Sequence, residues 1–350
     1  MITHIKLRDF RCFAAVETEF VPGTNVIVGP NAQGKTSLLE SACVLLRLQS
    51  PRSTQLATLV RIGAVGFVVD GFYAGYHLQF YYSSRRKKLA LDSVEQRSSA
   101  AEYLQIGRVV WFSNGDIALV RGGADERRRY LDFIAGQIDP SYRKQLRSYE
   151  RALRARNQLL KAPSPRWREI EAFDEPLIAA GNALSTARSR LVSTLQPFAQ
   201  ESHTGISGAA GEQIALTYLA GSGEDFAETL RANRAEDARL RQTTAGPHRD
   251  DVAITLNTLG VNLASEGQQR TAALALRLAQ VKHFTQTAGK PPLLLLDDIF
   301  GELDPARRNA LLEHLPEGAQ KIITTTHLDW AQTGIDKVFY LENRTLTLRK

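Results

Sequence analysis

The stretch Gly29-Pro30-Asn31-Ala32-Gln33-Gly34-Lys35-Thr36 fits the phosphate-binding pattern GxxxxGK[ST]. It follows an apolar segment that predicts a strand, Asn25 to Val28, and opens a segment that predicts a helix. Glycines let such a loop curl until its N–H groups and the helix N-terminus face phosphate oxygens, while Lys35 reaches the outer phosphates. We therefore expect a nucleotide at Gly29, Pro30, Asn31, Ala32, Gln33, Gly34, Lys35, Thr36 and Ser37.

A second segment provides the partner of this loop. Leu293 to Leu296 predict a buried strand, and Asp297 and Asp298 follow it directly. A carboxylate at the tip of such a strand can hold Mg²⁺ together with the hydroxyl of Thr36. We therefore predict a P-loop nucleoside triphosphatase that uses ATP and Mg²⁺, with Thr36 and Asp297 as the metal ligands.

Ser265-Glu266-Gly267-Gln268 opens a strongly helical segment just before that strand. It is similar to the signature motif of ABC ATPases, in which a serine hydroxyl and a glycine amide bind the γ-phosphate held by the opposite subunit. Serine is also a good helix cap, and helix N-termini attract anions. The resemblance implies that Ser265, Gly267 and Gln268 act across an ATP-dependent homodimer; a simple helix cap is the alternative.

Three further positions follow in the ABC order. Gly301-Glu302-Leu303-Asp304 resembles the loop that runs along the dimer seam, which assigns Asp304 to that seam, and His327 resembles the switch histidine. Asp298 stands where many ABC ATPases have the glutamate that activates water. Its side chain is one methylene shorter, so we expect it to catalyse slow hydrolysis together with His327.

Positive charge is concentrated in one part of the chain. The net charge is +7, but residues 121–168 alone carry thirteen Lys and Arg against five acids. A concentrated basic segment attracts a polyanion such as DNA in a salt-dependent way. The first candidate is the basic face of a predicted amphipathic helix, Arg143, Arg147, Arg151 and Arg154; the second is Arg127, Arg128 and Arg129. A solvated surface or intramolecular ion pairs are the alternatives for both.

The order of predicted elements is strand-rich, then helical, then mixed. We expect an α/β fold: an ABC-type, SMC head-like P-loop ATPase domain with mixed sheets, interrupted by a mainly helical second domain. The expected boundaries are 1–123 and 242–350 for the ATPase domain and 124–241 for the insertion. No apolar run exceeds strand length, no secretory signal precedes the fold, and Cys12 and Cys43 form no disulfide framework, so we expect a cytoplasmic protein without a membrane partner.

Six blocks together resemble the RecF family, in the order and total length of that family: FRCF (10–13), GPNAQGKTSLLE (29–40), ERRRYLD (126–132), AGPHRDD (245–251), SEGQQR (265–270) and LLLLDDIFGELD (293–304). The resemblance implies a weak DNA-linked ATPase in recombinational repair. Such a protein dimerises on ATP, binds double-stranded DNA near single-strand gaps and works with RecO and RecR to load RecA. One departure is Asn114-Gly115-Asp116, where the family tends to have Pro-Glu-Asp, so the loop that contacts metal and water lacks a clear candidate.

Other classes of protein remain as alternatives. In the nucleotide-binding subunit of a transporter, far fewer residues would separate the phosphate loop from the signature than separate Lys35 from Ser265 in this chain. An SMC-type clamp would need a coiled coil of hundreds of residues, whereas the insertion predicts only short helices. A module that uses ATP only to dimerise, without hydrolysis, would have nearly the same sequence as this chain.

Overall fold

The computed structural model describes residues 1–95, 100–208, 211–330 and 334–348. The chain forms two units, one of Met1–Asp116 with Gln280–Lys350 and one of Ile117–Ala279. Within the described residues, every helix is too short or too polar to cross a membrane.

The N-terminal part of the first unit builds an antiparallel sheet and a buried helix. Its elements are β1 (Ile2–Phe10), β2 (Phe13–Glu19), β3 (Thr24–Val28), α1 (Lys35–Arg47), β4 (Gly66–Tyr73), β5 (Tyr76–Ser83), β6 (Lys87–Leu91), β7 (Val94–Glu95), α2 (Ala101–Gln105) and β8 (Val109–Ser113). The sheet order is β2-β1-β4-β5-β6-β7. Alternation along β1 buries Ile5 and Leu7 and leaves Lys6 and Arg8 outside, as a sheet with one covered face requires.

The second unit combines helices with a small sheet. Its elements are α3 (Ala118–Arg121), α4 (Ala124–Ile138), α5 (Pro140–Leu160), α6 (Trp167–Glu171), α7 (Asp174–Ser207), β9 (Ile214–Leu219), α8 (Phe226–Ala232), α9 (Arg234–Leu240), β10 (Asp251–Leu256), β11 (Leu259–Gly260) and most of α10 (Glu266–Ala288). The sheet order is β11-β10-β9, so β9 is an edge strand. Two glutamines of α7 cover that edge: Gln196 Oε1 accepts from Leu216 N at 2.6 Å, and Gln200 Oε1 accepts from Ile214 N at 2.8 Å.

The C-terminal elements complete the first unit: β12 (Leu293–Asp297), α11 (Pro305–His314), β13 (Lys321–Thr325), β14 (Lys337–Glu342) and β15 (Thr345–Leu348). The second sheet has the order β15-β14-β3-β13-β12-β8, and only β15 runs antiparallel to its neighbour. Helix α1 contacts strands of both sheets, which explains why it is buried on all sides. The expected α/β architecture with mixed sheets and a mainly helical second unit is confirmed.

The boundaries between the units differ from the expected ones. The helical insertion was expected over 124–241, whereas the second unit spans 117–279. The expected boundaries place Asp251–Leu256 in the ATPase domain, but this strand, β10, pairs along six residues with β9 of the second unit. The boundary then falls inside α10, where a continuous helix gives no sequence signal of a domain change.

The second unit has a buried ion network at its centre. Arg188 of α7, only 3% exposed, pairs with Asp132 of α4 at 2.8 Å and with Asp250 at 2.9 Å. Tyr142 donates a hydrogen bond to Asp132, and Tyr218 donates one to Asp250. Because each carboxylate has several donors, the buried charges are compensated.

The AGPHRDD block (245–251) belongs to the same network, and in the structure it anchors β10 to neighbouring helices. His248 Nε2 lies 2.9 Å from the carbonyl oxygen of Thr243, so it donates, and Nδ1 accepts from the Tyr149 hydroxyl at 2.6 Å. Burial lowers the pKa of His248, which favours this neutral ring. Asp251 accepts both guanidinium bonds of Arg127, at 2.6 and 3.0 Å. The block therefore joins β10 to α4, α5 and α7.

We predict that Arg188→Ala lowers the free energy of unfolding by about 3–5 kcal/mol, because it leaves the buried Asp250 and the partly exposed Asp132 without their main cation. The matched control is Arg190→Ala, an exposed position on the same helix, with an expected change of less than about 0.5 kcal/mol. Urea unfolding followed by circular dichroism measures both. Equal stability of the two variants would show that the network contributes little.

Candidate nucleotide-binding site

The loop between β3 and α1 has a backbone that side chains would obstruct. Gly34 has φ +108°, and a Cβ there would lie 2.6 Å from Cys12 Sγ and 2.8 Å from Phe13 Cζ. A Cβ at Gly29 would lie 2.2 Å from the carbonyl oxygen of Leu341. Both positions therefore require glycine, and the bare loop leaves its amides open to an anion at the N-terminus of α1.

Lys35, the first residue of α1, lies over this loop. Its Nζ donates to the carbonyl oxygens of Gly29 at 2.6 Å and Pro30 at 2.9 Å, and the side chain is 5% exposed. Burial lowers the pKa of Lys35, and the carboxylates of Asp298 and Asp297 counter that effect. The ammonium group is thus held at the loop, where it can bind a phosphate.

Thr36 meets Asp297 at the tip of β12. The Thr36 hydroxyl donates to Asp297 Oδ1 at 2.8 Å, and Thr324 donates to the same oxygen at 2.8 Å. Burial raises the pKa of Asp297, while these two hydrogen bonds lower it. A hydroxyl and a carboxylate side by side are ligands that Mg²⁺ accepts together with phosphate oxygens, so the residues fit the expected metal. Thr324 was missed from sequence because only the β12–β13 pairing brings it there.

Asp298 lies beside this pair, with φ +51°. Burial raises the pKa of Asp298, and the charge of Lys35 opposes the rise. The side-chain amide of Asn114 donates to the carbonyl oxygen of Asp298 at 3.1 Å. Strand β8 pairs with β12 so that Ser113 lies opposite Asp297. Asn114 therefore reaches the site from the loop of residues 114–116, in which the sequence alone shows no clear contact with metal or water. His327 is exposed after β13, with Nδ1 2.9 Å from the Thr326 hydroxyl.

An ion pair behind the loop was also missed. Glu40 of α1 is fully buried and accepts two bonds from Arg11, both at 2.8 Å. Arg52 Nη1 lies 4.0 Å from Glu40, and the charge of Arg52 opposes the rise that burial causes in the pKa of Asp297. Arg11 lies in the FRCF block (10–13), but no local pattern pairs it with Glu40, and Arg52 lies outside the six blocks. Together they place positive charge next to the loop.

The signature and seam residues both occupy helix starts. Ser265 is exposed and forms a reciprocal cap with Gln268 at the start of α10, while Gly267 is half-buried in the first turn. Asp304 Oδ1 accepts from Arg307 N at 2.9 Å and caps α11. Both caps present exposed N-terminal groups, and their action across a dimer stays a prediction.

The two groups of arginines differ in their surroundings. Arg147, Arg151 and Arg154 are exposed on α5, whereas Arg143 is partly covered beside Gly136. In the group Arg127, Arg128 and Arg129, the first two guanidinium groups face the protein. Arg127 binds Asp251, and Arg128 donates to the carbonyl oxygen of Asp250 at 2.5 Å. Arg129 is exposed and pairs with Glu126 at 2.6 Å. Arg127 and Arg128 are therefore better explained by intramolecular contacts than by contact with DNA. The exposed face of α5 is the stronger candidate for DNA.

Comparison with known proteins gives the family. Residues 4–102 match the family described as AAA domain. The DNA replication and repair protein RecF of Anaeromyxobacter dehalogenans (strain 2CP-C) is 38% identical over 358 residues, covering 96% of this chain and 95% of that protein. The chain belongs to the RecF family. The resemblance to the RecF family that the sequence predicted is thereby confirmed.

Solved structures agree with this assignment. The recombination mediator protein RecF-ATPrS in the RecFOR pathway has a TM-score of 0.89 and 30% identity, covering 99% of this chain and 98% of that one. The Smc head bound to the C-winged helix domain of ScpA has a TM-score of 0.56 at 15% identity, covering 99% and 97%. The Smc match shows a shared fold only, and the RecF match extends the family likeness over the whole chain.

Proposed function

We propose that this RecF-family chain binds ATP with Mg²⁺ at residues 29–37 and dimerises around it, each copy adding its Ser265 and Gly267 to the nucleotide of the other. The observation that carries the proposal is the 2.8 Å hydrogen bond between Thr36 and Asp297, which joins the phosphate loop to a buried carboxylate. The solved RecF structures with ATP and ATPrS support it, since they align over almost the entire chain.

The residues divide the work at this site. Lys35 and the loop amides bind phosphate, and Thr36 and Asp297 bind the metal. Bound ATP would supply the anhydride bond whose hydrolysis ends the dimeric state. Mg²⁺ would compensate the negative charge of the ATP phosphates. Asp298 would accept the proton of the attacking water, and His327 would stand near the terminal phosphate. The short aspartate side chain favours slow turnover, so the dimer would persist long enough to act on DNA.

The proposed target is double-stranded DNA beside single-strand gaps, where the protein would help RecO and RecR load RecA in the cytoplasm. The names of the relatives, a replication and repair protein and a recombination mediator in the RecFOR pathway, support this role. The exposed arginines of α5 support backbone contacts, which position a protein without reading sequence.

We expect sedimentation velocity to show dimers of the wild type with ATP-Mg²⁺ and monomers without nucleotide. Lys35→Ala removes the phosphate cation and Ser265→Arg blocks the signature turn, so both should stay monomeric. Lys290→Ala, an exposed lysine in the same unit as Lys35, is the matched control and should dimerise like the wild type. A wild type that stays monomeric at saturating ATP-Mg²⁺ would contradict the proposal.

For DNA, the double variant Arg147→Glu/Arg151→Glu should bind a gapped duplex more weakly. The plot of the log of the association constant against log salt has a negative slope, and we expect its steepness to decrease by about 2, roughly one per lost phosphate contact. Arg239→Glu on α9 is exposed and serves as the control for charge alone. Fluorescence anisotropy across a salt series with ATP present measures the slopes. Identical slopes for the α5 variant and the wild type would remove α5 from the DNA surface.

A further inference from the structure

Gln268, the third residue of α10, has both ends of its side-chain amide engaged. Its Oε1 accepts from Ser265 N at 2.9 Å, while its own backbone N donates to Ser265 Oγ at 3.4 Å. This is a reciprocal capping box, in which each side chain accepts a hydrogen bond from the backbone N–H of the other residue. The Gln268 side chain thus holds the backbone of Ser265, and the position of the Ser265 hydroxyl depends through that backbone on where the Gln268 side chain is held.

Glu212 holds the other end of that side chain. Gln268 Nε2 donates to Glu212 Oε1 at 2.6 Å, a short hydrogen bond to a carboxylate. The second carboxylate oxygen, Oε2, lies 3.4 Å from Nε2 of the fully buried His203 on α7. The Glu212 side chain is only 12% exposed, so water competes little for these contacts.

The backbone of Glu212 is also fixed to α7. Gln200 Nε2 donates to the Glu212 carbonyl oxygen at 3.2 Å, and the other end of the same amide accepts from Ile214 N. Glu212 is thus attached to α7 through Gln200 and to the start of α10 through Gln268. The contact spans 56 residues of sequence, and no motif marks it.

We propose that Glu212 is a positioning residue for the signature turn. By holding Gln268 it keeps the capping box closed, and the closed box orients the Ser265 hydroxyl and the first amides of α10. This proposal rests on the proposed function, in which these groups bind the terminal phosphate held by a second copy. Through Gln200, Glu212 also connects the turn to α7, the helix that packs along the basic α5.

The first test uses the nucleotide-free protein and amide hydrogen exchange. In Glu212→Ala, the amides of Ser265 and Gln268 should exchange at least about tenfold faster, because a hydrogen bond to a charged group is lost. Glu212→Gln keeps an acceptor oxygen and should exchange within about threefold of the wild type. Glu224→Ala, an exposed acid between β9 and α8, is the control. Unchanged exchange in Glu212→Ala would overturn the proposal, whether or not the protein dimerises.

The second test measures the dimer dissociation constant with a non-hydrolysable ATP analogue and Mg²⁺. Glu212→Ala should weaken dimerisation about tenfold, while the affinity of the dilute monomer for a fluorescent ATP analogue stays unchanged. In a Gln268→Ala background, Glu212→Ala should add nothing, because its effect passes through Gln268. Additive effects would overturn the proposal. Absence of wild-type dimers would count against the proposed function, and hydrogen exchange would still decide the role of Glu212.

Discussion

The contact between the Thr36 hydroxyl and the Asp297 carboxylate is the constraint on which the first unit depends. It joins residues 261 positions apart, one at the start of α1 and one at the tip of β12. The parallel order β3-β13-β12-β8 makes it possible, because the carboxyl ends of these strands meet at one edge of the sheet. Thr324 and Asn114 arrive at the same edge for the same reason, so the sheet order determines the composition of the site.

A different principle organises the second unit. The ERRRYLD (126–132) and AGPHRDD (245–251) blocks carry many charges, and the structure uses several of them internally, as in the pairs Arg127–Asp251 and Arg188–Asp132. Removing one partner of a buried ion pair is costly, because the other charge is left uncompensated. These charges hold the helices of the second unit together, whereas Arg147, Arg151 and Arg154 on α5 are exposed, which is why we propose them for contact with DNA.

Local patterns predicted the parts of the site that are local. The loop of residues 29–36, the strand ending in Asp297 and the cap at Ser265 each lie in a contiguous stretch, and each was found from sequence. Asn114, Thr324 and Arg52 were not, because strand pairing and loop packing bring them in from distant positions. The arginines show the same limit: Arg127 and Arg147 look alike in the sequence, and only the position of Asp251 distinguishes a paired side chain from an exposed one.

The central claim of the proposed function is that one nucleotide is bound by two copies of the chain, and mixing two defective variants tests it most directly. Lys35→Ala lacks the phosphate loop cation but keeps its signature turn, and Ser265→Arg has the opposite defect. Neither should dimerise alone with ATP-Mg²⁺, whereas a heterodimer of the two contains one complete site. We predict that dimers reappear in the mixture. A mixture that stays as monomeric as its two components, under conditions where the wild type dimerises, would contradict the shared site.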